Sequence, residues 1–309
     1  MEEMSMKKNK KILLTILMLL TLTFTVSVTT QAASSTVAKI GNKKYTSLQK
    51  AINAVKNGQT IKVTKNISTR KFFAAEIDKP GMSFTIDFQN HTYKATDKNY
   101  LLYIMAGNVT LKNAKFNGYT HSRSLIYVQK GAKLTIKNGT YKKIAIENDG
   151  FLTINGGTFV EGTPGDSGLQ DIGIIFSTKS LKITGGTFMG RTVNCNGGKA
   201  SITGGTFTYT LNERTIQNSS SSTLTISGGK FTNKYCVLQN SGTLTVTGGT
   251  FSSTSKGASL IYLKGGSMTK LKGGTFIGKS GSHLYCKFNG YAFIDITKAK
   301  IKTPYLGKE

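Results

Sequence analysis

An eight-residue motif recurs along most of the chain, and it limits the folds that the chain can adopt. The clearest copy is Leu152 to Phe159, with the sequence LTINGGTF, and close copies begin at Leu181, Ala200, Leu224 and Leu244. The second apolar residues of successive copies are 18 to 29 residues apart, at Ile86, Leu111, Ile136, Ile154, Ile183, Ile202, Ile226, Val246 and Leu271. Self-similarity with a period in this range indicates a solenoid, in which each repeat stacks on its neighbours.

Each copy starts with apolar residues at alternate positions, such as Leu152 and Ile154, which is the period of a strand and not of a helix. A second apolar stretch precedes most copies, as at Ile172 to Phe176, with Gly and Asn residues between the stretches. The chain is therefore predicted to be all-β, a single-stranded right-handed parallel β-helix of about nine or ten coils. The uneven spacing argues against the left-handed form, for which strict hexapeptide repeats are typical.

Stacking places equivalent residues of successive coils in columns. The outward position between the two apolar residues of each copy gives a row that begins at Thr85 and ends at Lys270. The Gly-Gly pairs are predicted to form tight turns with positive φ, and Asn148, Asn196 and Asn240 to form ladders at turns. The last motif position is predicted to form an aromatic ladder in the core, with Phe116, Tyr141, Phe159, Phe188, Phe207, Phe231, Phe251 and Phe276.

The ends of the predicted solenoid have signals of their own. Residues 33–60 are predicted to form an N-terminal cap with a strand and a helix over 46–57, with Thr46 and Gln49 as a capping box and Gly58 as the stop. The coils then occupy 61–291, and residues 292–309 are predicted to supply closing strands and a tail. Covers are expected because a solenoid otherwise exposes its core and unpaired strand edges.

Residues 1–32 have the three-part pattern of a secretory signal peptide. Four lysines between positions 7 and 11 precede an apolar run from Ile12 to Val28, and Thr30 and Ala32 fit the small-residue positions before a cleavage site. We therefore expect a secreted, extracellular protein with no transmembrane anchor in the mature chain, whose association with a cell wall would depend on charge.

The opening from Tyr45 to Val63, followed by LTIxGGTF coils, resembles the right-handed parallel β-helix, or pectin-lyase-like, proteins of secreted bacterial origin. The resemblance covers residues 37 to about 300. It implies a fold but not one activity, because this fold hosts polysaccharide lyases, pectin esterases, polygalacturonases, phage tailspikes and adhesins. A monomer and a tailspike-like homotrimer both stay open.

Acidic residues are concentrated in one segment. Five carboxylates lie between Glu147 and Asp171, and the longest coil contains the insertion from Val160 to Asp171. Glu161, Asp166 and Asp171 are predicted as oxygen ligands for an optional Ca²⁺, and no required cofactor is expected. The alternative is a solvated acidic loop in a basic protein.

Basic residues are predicted to form a column. Arg191 and Arg214 lie 11 and 12 residues before their index isoleucines, and Arg123, Lys142 and Lys234 lie at similar offsets. Such a column would bind uronate carboxylates or polyol phosphates, since Arg can contact a carboxylate with two nitrogens. The alternative is an exposed basic face without a specific ligand.

Net charge leads to two functional hypotheses. Lys and Arg number 41 and Asp and Glu 14, which gives a formal net charge of +27 and favours polyanionic partners. The first hypothesis is a module that binds anionic polysaccharide or a teichoic-acid-like polymer. The second is a polysaccharide lyase or glycoside hydrolase acting on uronic-acid polymers, with Glu147, Asp149, Asp171 and Arg191 at its centre.

Two further classes of function are not favoured. No specific nucleic-acid binding is expected, because most aromatic residues fall at inward positions and stacking platforms for bases are lacking. Cys195, Cys236 and Cys286 fall at non-equivalent positions of different coils and are predicted to be buried free thiols, with a single disulfide as the less favoured alternative.

Overall fold

A computed structural model describes residues 35–97, 99–118, 124–161, 173–211, 213–288 and 290–308. These residues form an all-β parallel solenoid of about nine turns, which confirms the predicted fold class. Each full turn of the solenoid contributes one strand to each of three parallel ladders. The strands are numbered here in chain order. The predicted signal peptide at 1–32 lies outside these ranges, within which no helix is long and apolar enough to cross a membrane.

The first ladder contains the repeat motif. Its strands pair in register, so that Leu134 lies beside Leu152, and the predicted outward row from Thr85 to Lys270 is confirmed. Its strands are β3 (Thr60–Val63), the later parts of β5 (Glu76–Asp87) and β7 (Asn99–Lys112), β10 (Lys133–Ile136), β13 (Phe151–Ile154), β16 (Ser180–Ile183), β19 (Gly198–Ile202), β22 (Ser222–Ile226), β25 (Thr243–Val246), β28 (Met268–Leu271) and β31 (Phe293–Ile296).

The second ladder carries the aromatic residue of each motif on its inward side. It contains β4 (Ile67–Thr69), β6 (Thr92–Ala95), β8 (Ala114–Asn117), β11 (Gly139–Lys142), β14 (Thr158–Val160), β17 (Thr187–Met189), β20 (Thr206–Tyr209), β23 (Lys230–Asn233), β26 (Thr250–Ser253), β29 (Thr275–Ile277) and β32 (Lys300–Lys302). From Tyr141 to Phe276 each ring stacks on the next at 4.7 Å, and all are buried. The predicted core ladder is therefore confirmed.

The third ladder contains the strand that precedes each motif. It begins with the first parts of β5 and β7, which are long enough to belong to two ladders. It continues with β9 (Ser124–Val128), β12 (Ile144–Asn148), β15 (Ile175–Ser177), β18 (Val193–Cys195), β21 (Arg214–Asn218), β24 (Cys236–Asn240), β27 (Ser259–Lys264), β30 (His283–Phe288) and β33 (Tyr305–Lys308).

The Gly-Gly pairs turn the chain between the first and second ladders. Gly229 has φ +103°, a left-handed conformation that L-residues with a Cβ rarely adopt. Its neighbour Gly228 is needed for a different reason, because a Cβ there would lie 2.3 Å from the carbonyl oxygen of Thr203 in the preceding coil. The predicted tight turns are therefore confirmed.

A buried polar ladder lies at the turn after the third ladder. Asn148 donates to Ser177 Oγ at 2.9 Å, and Asn218 donates to Asn240 Oδ1 at 2.8 Å. Asn148 and Asn240 are thus turn residues, as predicted. Asn196 is exposed and follows the ladder position, which Cys195 occupies in that coil, so its predicted place in a ladder is wrong.

The N-terminal end contains an antiparallel pair and a short helix. β1 (Ala38–Ile40) pairs with β2 (Lys43–Tyr45) and with β3, and α1 (Leu48–Ala54) buries Leu48, Ala51 and Ile52. The helix lies within the predicted span, and its role as a cap stays a prediction.

The predicted capping box of this helix is wrong. Ser47 is the N-cap, because its side chain accepts a hydrogen bond from the Lys50 N–H at 3.1 Å. The Gln49 side chain instead exchanges two hydrogen bonds with the backbone of Glu76, at 2.8 and 2.9 Å. Gln49 therefore ties the helix to β5.

The three cysteines are free thiols, as predicted. Cys195 and Cys236 are buried, and burial raises the pKa of each to about 12. Cys286 is only partly buried, so the prediction of burial is wrong for this residue.

Candidate ligand-binding cleft

The outward side of the third ladder carries one row of aromatic, amide and acidic side chains. Strand register places the row in consecutive coils, so that neighbours along it are about 4.8 Å apart. The row contains no lysine from Tyr103 to Tyr262, and its members are Tyr103, Tyr127, Glu147, Phe176, Asn194, Gln217, Gln239 and Tyr262.

A cleft of about 350 Å³ opens along the middle of this row. Its walls include Phe176, Asn194 and Gln217 from the row, together with Arg191, Glu213 and Arg214 from the segments that lead into β18 and β21. The cleft therefore combines two guanidinium groups with amides, a carboxylate and one aromatic ring.

Arg191 and Arg214 lie in adjacent coils at equivalent positions. Val193 is opposite Ile216 in the parallel pairing of β18 and β21, and each arginine is two residues before that pair. Their side chains are 21% and 39% exposed, so both reach the cleft surface.

Glu161 holds Arg191 in place. Its Oε2 accepts the backbone N–H of Arg191 at 2.7 Å, and its Oε1 accepts the Nε–H of the same residue at 3.0 Å. Burial raises the pKa of Glu161 and outweighs Arg191, which lowers it, while Glu213 raises it further. The carboxylate is thus a desolvated support for one arginine of the cleft.

Arg214 is held by weaker contacts. Its Nη1 donates to Gln239 Oε1 in the next coil, and its Nη2 is 3.7 Å from Glu213 Oε2, whose side chain is 49% exposed. Exposed ion pairs at such distances are weak and are screened by salt. Arg214 can therefore exchange Glu213 for a carboxylate or phosphate of a ligand.

The predicted column of five cations is wrong for Lys142 and Lys234. Lys142 belongs to the second ladder, between Asn117 and Val160. Cys236, not Lys234, lies opposite Arg214. Arg123 lies outside the described residues. Equal residue offsets from the index residue do not give equivalent positions, because the intervening turn differs in length between coils.

The predicted catalytic residues lie in two different places. Glu147 is in the outward row, and Asp149 follows it, accepting hydrogen bonds from Tyr127 at 2.6 Å and Thr178 at 2.5 Å. Arg191 lies two coils farther along, as the pairing of β12, β15 and β18 shows. Asp171 lies outside the described ranges, and the catalytic roles stay predictions.

Of the predicted calcium ligands, only Glu161 belongs to the described part of the chain, and its two oxygens contact Arg191. Asp166 and Asp171 fall in 162–172, outside that part. Among the residues that the structure describes, no three His, Cys, Asp or Glu side chains form a group that could hold a metal ion.

The row itself was missed by sequence reasoning. Each member stands between two inward residues of a short strand, as Gln217 does between Ile216 and Asn218. Aligning these upstream strands with one another, instead of counting from the motif, would have found it.

No protein-family model, curated protein or solved structure matches this chain. The pectin-lyase-like resemblance therefore stays a prediction.

Proposed function

We propose that this protein binds an anionic polysaccharide or a comparable cell-wall polymer along the outward face of the third ladder. One observation carries the proposal: Arg191 and Arg214 occupy equivalent positions of adjacent coils and line the same cleft. Two arginines from adjacent coils, whose backbones are about 4.8 Å apart, suit a polymer that presents acidic groups in series along the groove.

The amides beside the arginines support a sugar ligand. Asn194 and Gln217 line the cleft, and Gln239 touches Arg214 from the next coil. Side-chain amides both donate and accept hydrogen bonds, as sugar hydroxyls do, whereas a purely ionic site would need only cations.

The remaining charge of the molecule would assist capture. The formal net charge is +27, and lysines such as Lys182, Lys270 and Lys142 lie on the outward sides of the other two ladders. A field of this sign attracts polyanions over a range set by ionic strength, while the cleft determines which groups are held.

The test is retention on immobilised polygalacturonate. Arg214→Gln is expected to weaken binding about tenfold or more, because a charged hydrogen-bonding group is lost. Arg214→Lys is expected to lose less affinity, since the positive charge is kept and only the two-nitrogen contact geometry of the guanidinium is lost. The matched control Lys182→Gln, on the first ladder, is expected to change affinity by no more than about twofold.

The salt concentration that releases the bound protein is a second measurement in the same experiment. Release of the wild-type protein by about 0.5 M NaCl is expected, because screening weakens exposed ionic contacts. Equal retention of the wild type, Arg214→Gln and Lys182→Gln would contradict the proposal.

A lyase or hydrolase acting on uronic-acid polymers is the second candidate, and Glu161 favours it. Both of its oxygens accept hydrogen bonds from Arg191, so it orients the arginine that would contact a substrate carboxylate. The same incubation, followed for unsaturated product with and without Ca²⁺, distinguishes the two. Product that disappears in Glu161→Gln and Arg191→Ala would favour the enzyme, and binding without product would favour the binding module.

A further inference from the structure

A cluster of aromatic side chains lies outside the core at the N-terminal end of the outward row. It consists of Phe72, Phe73, Tyr100, Tyr103 and Tyr127, and is called here the aromatic platform. Phe72 is 54% exposed and Phe73 is 40% exposed, whereas the rings of the core ladder have almost no exposed surface. Contiguous exposed apolar surface of this kind marks binding sites more often than solvated surface.

The rings of the aromatic platform pack against one another in two stacked pairs. Tyr103 and Tyr127 have centroids 5.2 Å apart and planes 16° apart, and Phe73 and Tyr100 are 5.3 Å and 22° apart. The pairs meet at an angle, with Phe73 edge-on to Tyr103 at 5.0 Å. The result is a continuous apolar surface without a slot between parallel rings.

Hydrogen bonds fix the aromatic platform in position. The Tyr127 hydroxyl donates to Asp149 Oδ2 at 2.6 Å, and Asp149 Oδ1 accepts from Thr178 at 2.5 Å. On the other side, the Tyr100 N–H donates to the Phe72 carbonyl at 2.7 Å. Because the rings are held before any ligand arrives, little conformational entropy is lost on binding.

The aromatic platform is continuous with the cleft. Tyr103 and Tyr127 are the first two members of the row that passes through Glu147 and Phe176 to the cleft. Tyr127 and Arg191 are separated by three steps along the ladder, or about 14 Å at 4.8 Å per step. One extended chain can therefore contact both.

Charge differs between the two parts of this groove. Glu147 and Asp149 flank the aromatic platform, and Arg191 and Arg214 line the cleft. Carboxylates would repel a uronate or a phosphate beside the rings but can accept hydrogen bonds from sugar hydroxyls. The groove is thus suited to a neutral unit at one point and an acidic unit about three coils away.

We infer that the aromatic platform is a stacking subsite for a neutral pyranose, and that the ligand is a heteropolysaccharide containing both neutral and acidic sugars. This inference rests on the proposed function. The C–H face of a β-linked N-acetylhexosamine packs on the rings, while uronates of the same chain contact Arg191 and Arg214. A uniform polyuronate fits the cleft but not the platform.

The test compares two probes by titration calorimetry: a hyaluronan octasaccharide, which alternates glucuronate with N-acetylglucosamine, and octagalacturonate. Tyr103→Ala is expected to lower affinity for the first about tenfold and to leave the second unchanged, because only the first places a neutral sugar on the rings. Arg214→Gln is expected to weaken both.

Controls separate ring loss from misfolding. Tyr103→Phe keeps the stacking surface and is expected to keep wild-type affinity, and Phe72→Ala is expected to act in the same direction as Tyr103→Ala. Phe151 is 41% exposed on the first ladder, so Phe151→Ala provides a matched aromatic loss away from the groove and is expected to change neither affinity.

The outcomes distinguish this inference from the proposed function. If Arg214→Gln weakens both probes but Tyr103→Ala weakens neither, the platform subsite is wrong and the anion-binding function stands. If neither oligosaccharide binds the wild type, the proposed function fails. If Tyr103→Ala weakens an oligothymidylate but not the hyaluronan probe, the rings bind bases and the glycan inference is overturned.

Discussion

Glu161 is a carboxylate whose protonation is coupled to the folded state. Its side chain is 9% exposed, and burial together with Glu213 raises its pKa despite the opposing effect of Arg191. A raised pKa in the folded state means that the folded protein binds the proton more tightly than the unfolded chain does. The stability that this carboxyl contributes is therefore full at low pH and is lost as the pH rises through the raised pKa.

This sign predicts the behaviour of Glu161→Gln. The amide keeps an acceptor for the Arg191 N–H but does not ionise. As the pH rises through this raised pKa, the melting temperature of the wild type should fall relative to that of the variant. Thermal unfolding at a series of pH values measures the difference. A difference that is constant with pH would contradict the raised pKa, and a difference that grows in favour of the wild type as the pH rises would show that the ion pair outweighs desolvation.

At the level of the element, a buried turn residue and an exposed one are expected to differ strongly. Asn240 donates to Met268 O at 3.0 Å and to Thr269 Oγ1 at 2.8 Å, and its Oδ1 accepts from Gly242 N at 3.1 Å. Asn240→Ala removes these hydrogen bonds, and each buried polar group that is left unsatisfied costs about 1 to 3 kcal/mol. Asn196→Ala, at an exposed position, should stay within about 0.5 kcal/mol. Urea unfolding of both variants checks the contrast, which equal losses would refute.

The same elements show how far sequence reasoning reaches. The motif strands and the ladder from Tyr141 to Phe276 were predicted correctly, because an inward side chain at a fixed motif position must stack on its equivalent. The cation column was not predicted correctly, because the turns between the third and first ladders vary in length. Arg191 and Arg214 lie at equivalent positions as predicted. Lys142 lies in the second ladder, and Lys234 precedes the residue that pairs with Arg214. Glu213 and the amides of the outward row could not be recognised as cleft residues from their residue types alone.

Across the whole molecule, stability is expected to depend on contacts between neighbouring coils. Phe207 stacks between Phe188 and Phe231 at 4.7 Å on each side and has no exposed surface. Phe207→Ala should therefore destabilise the protein by about 3 to 5 kcal/mol, through lost burial and the cavity that remains. Denaturant unfolding measures the loss, with Phe151→Ala as the exposed control. A near-neutral Phe207→Ala would contradict the interior position of the ladder.

The regular spacing of the coils has a consequence for ligand length. The outward row from Tyr103 to Tyr262 covers seven steps of the third ladder, or roughly 34 Å at 4.8 Å per step. Because every added or deleted repeat would lengthen or shorten that row by one step, repeat number fixes the length of the groove. Under the proposed function, repeat number would then set the shortest oligosaccharide that occupies the full groove, independently of the chemistry at any one position.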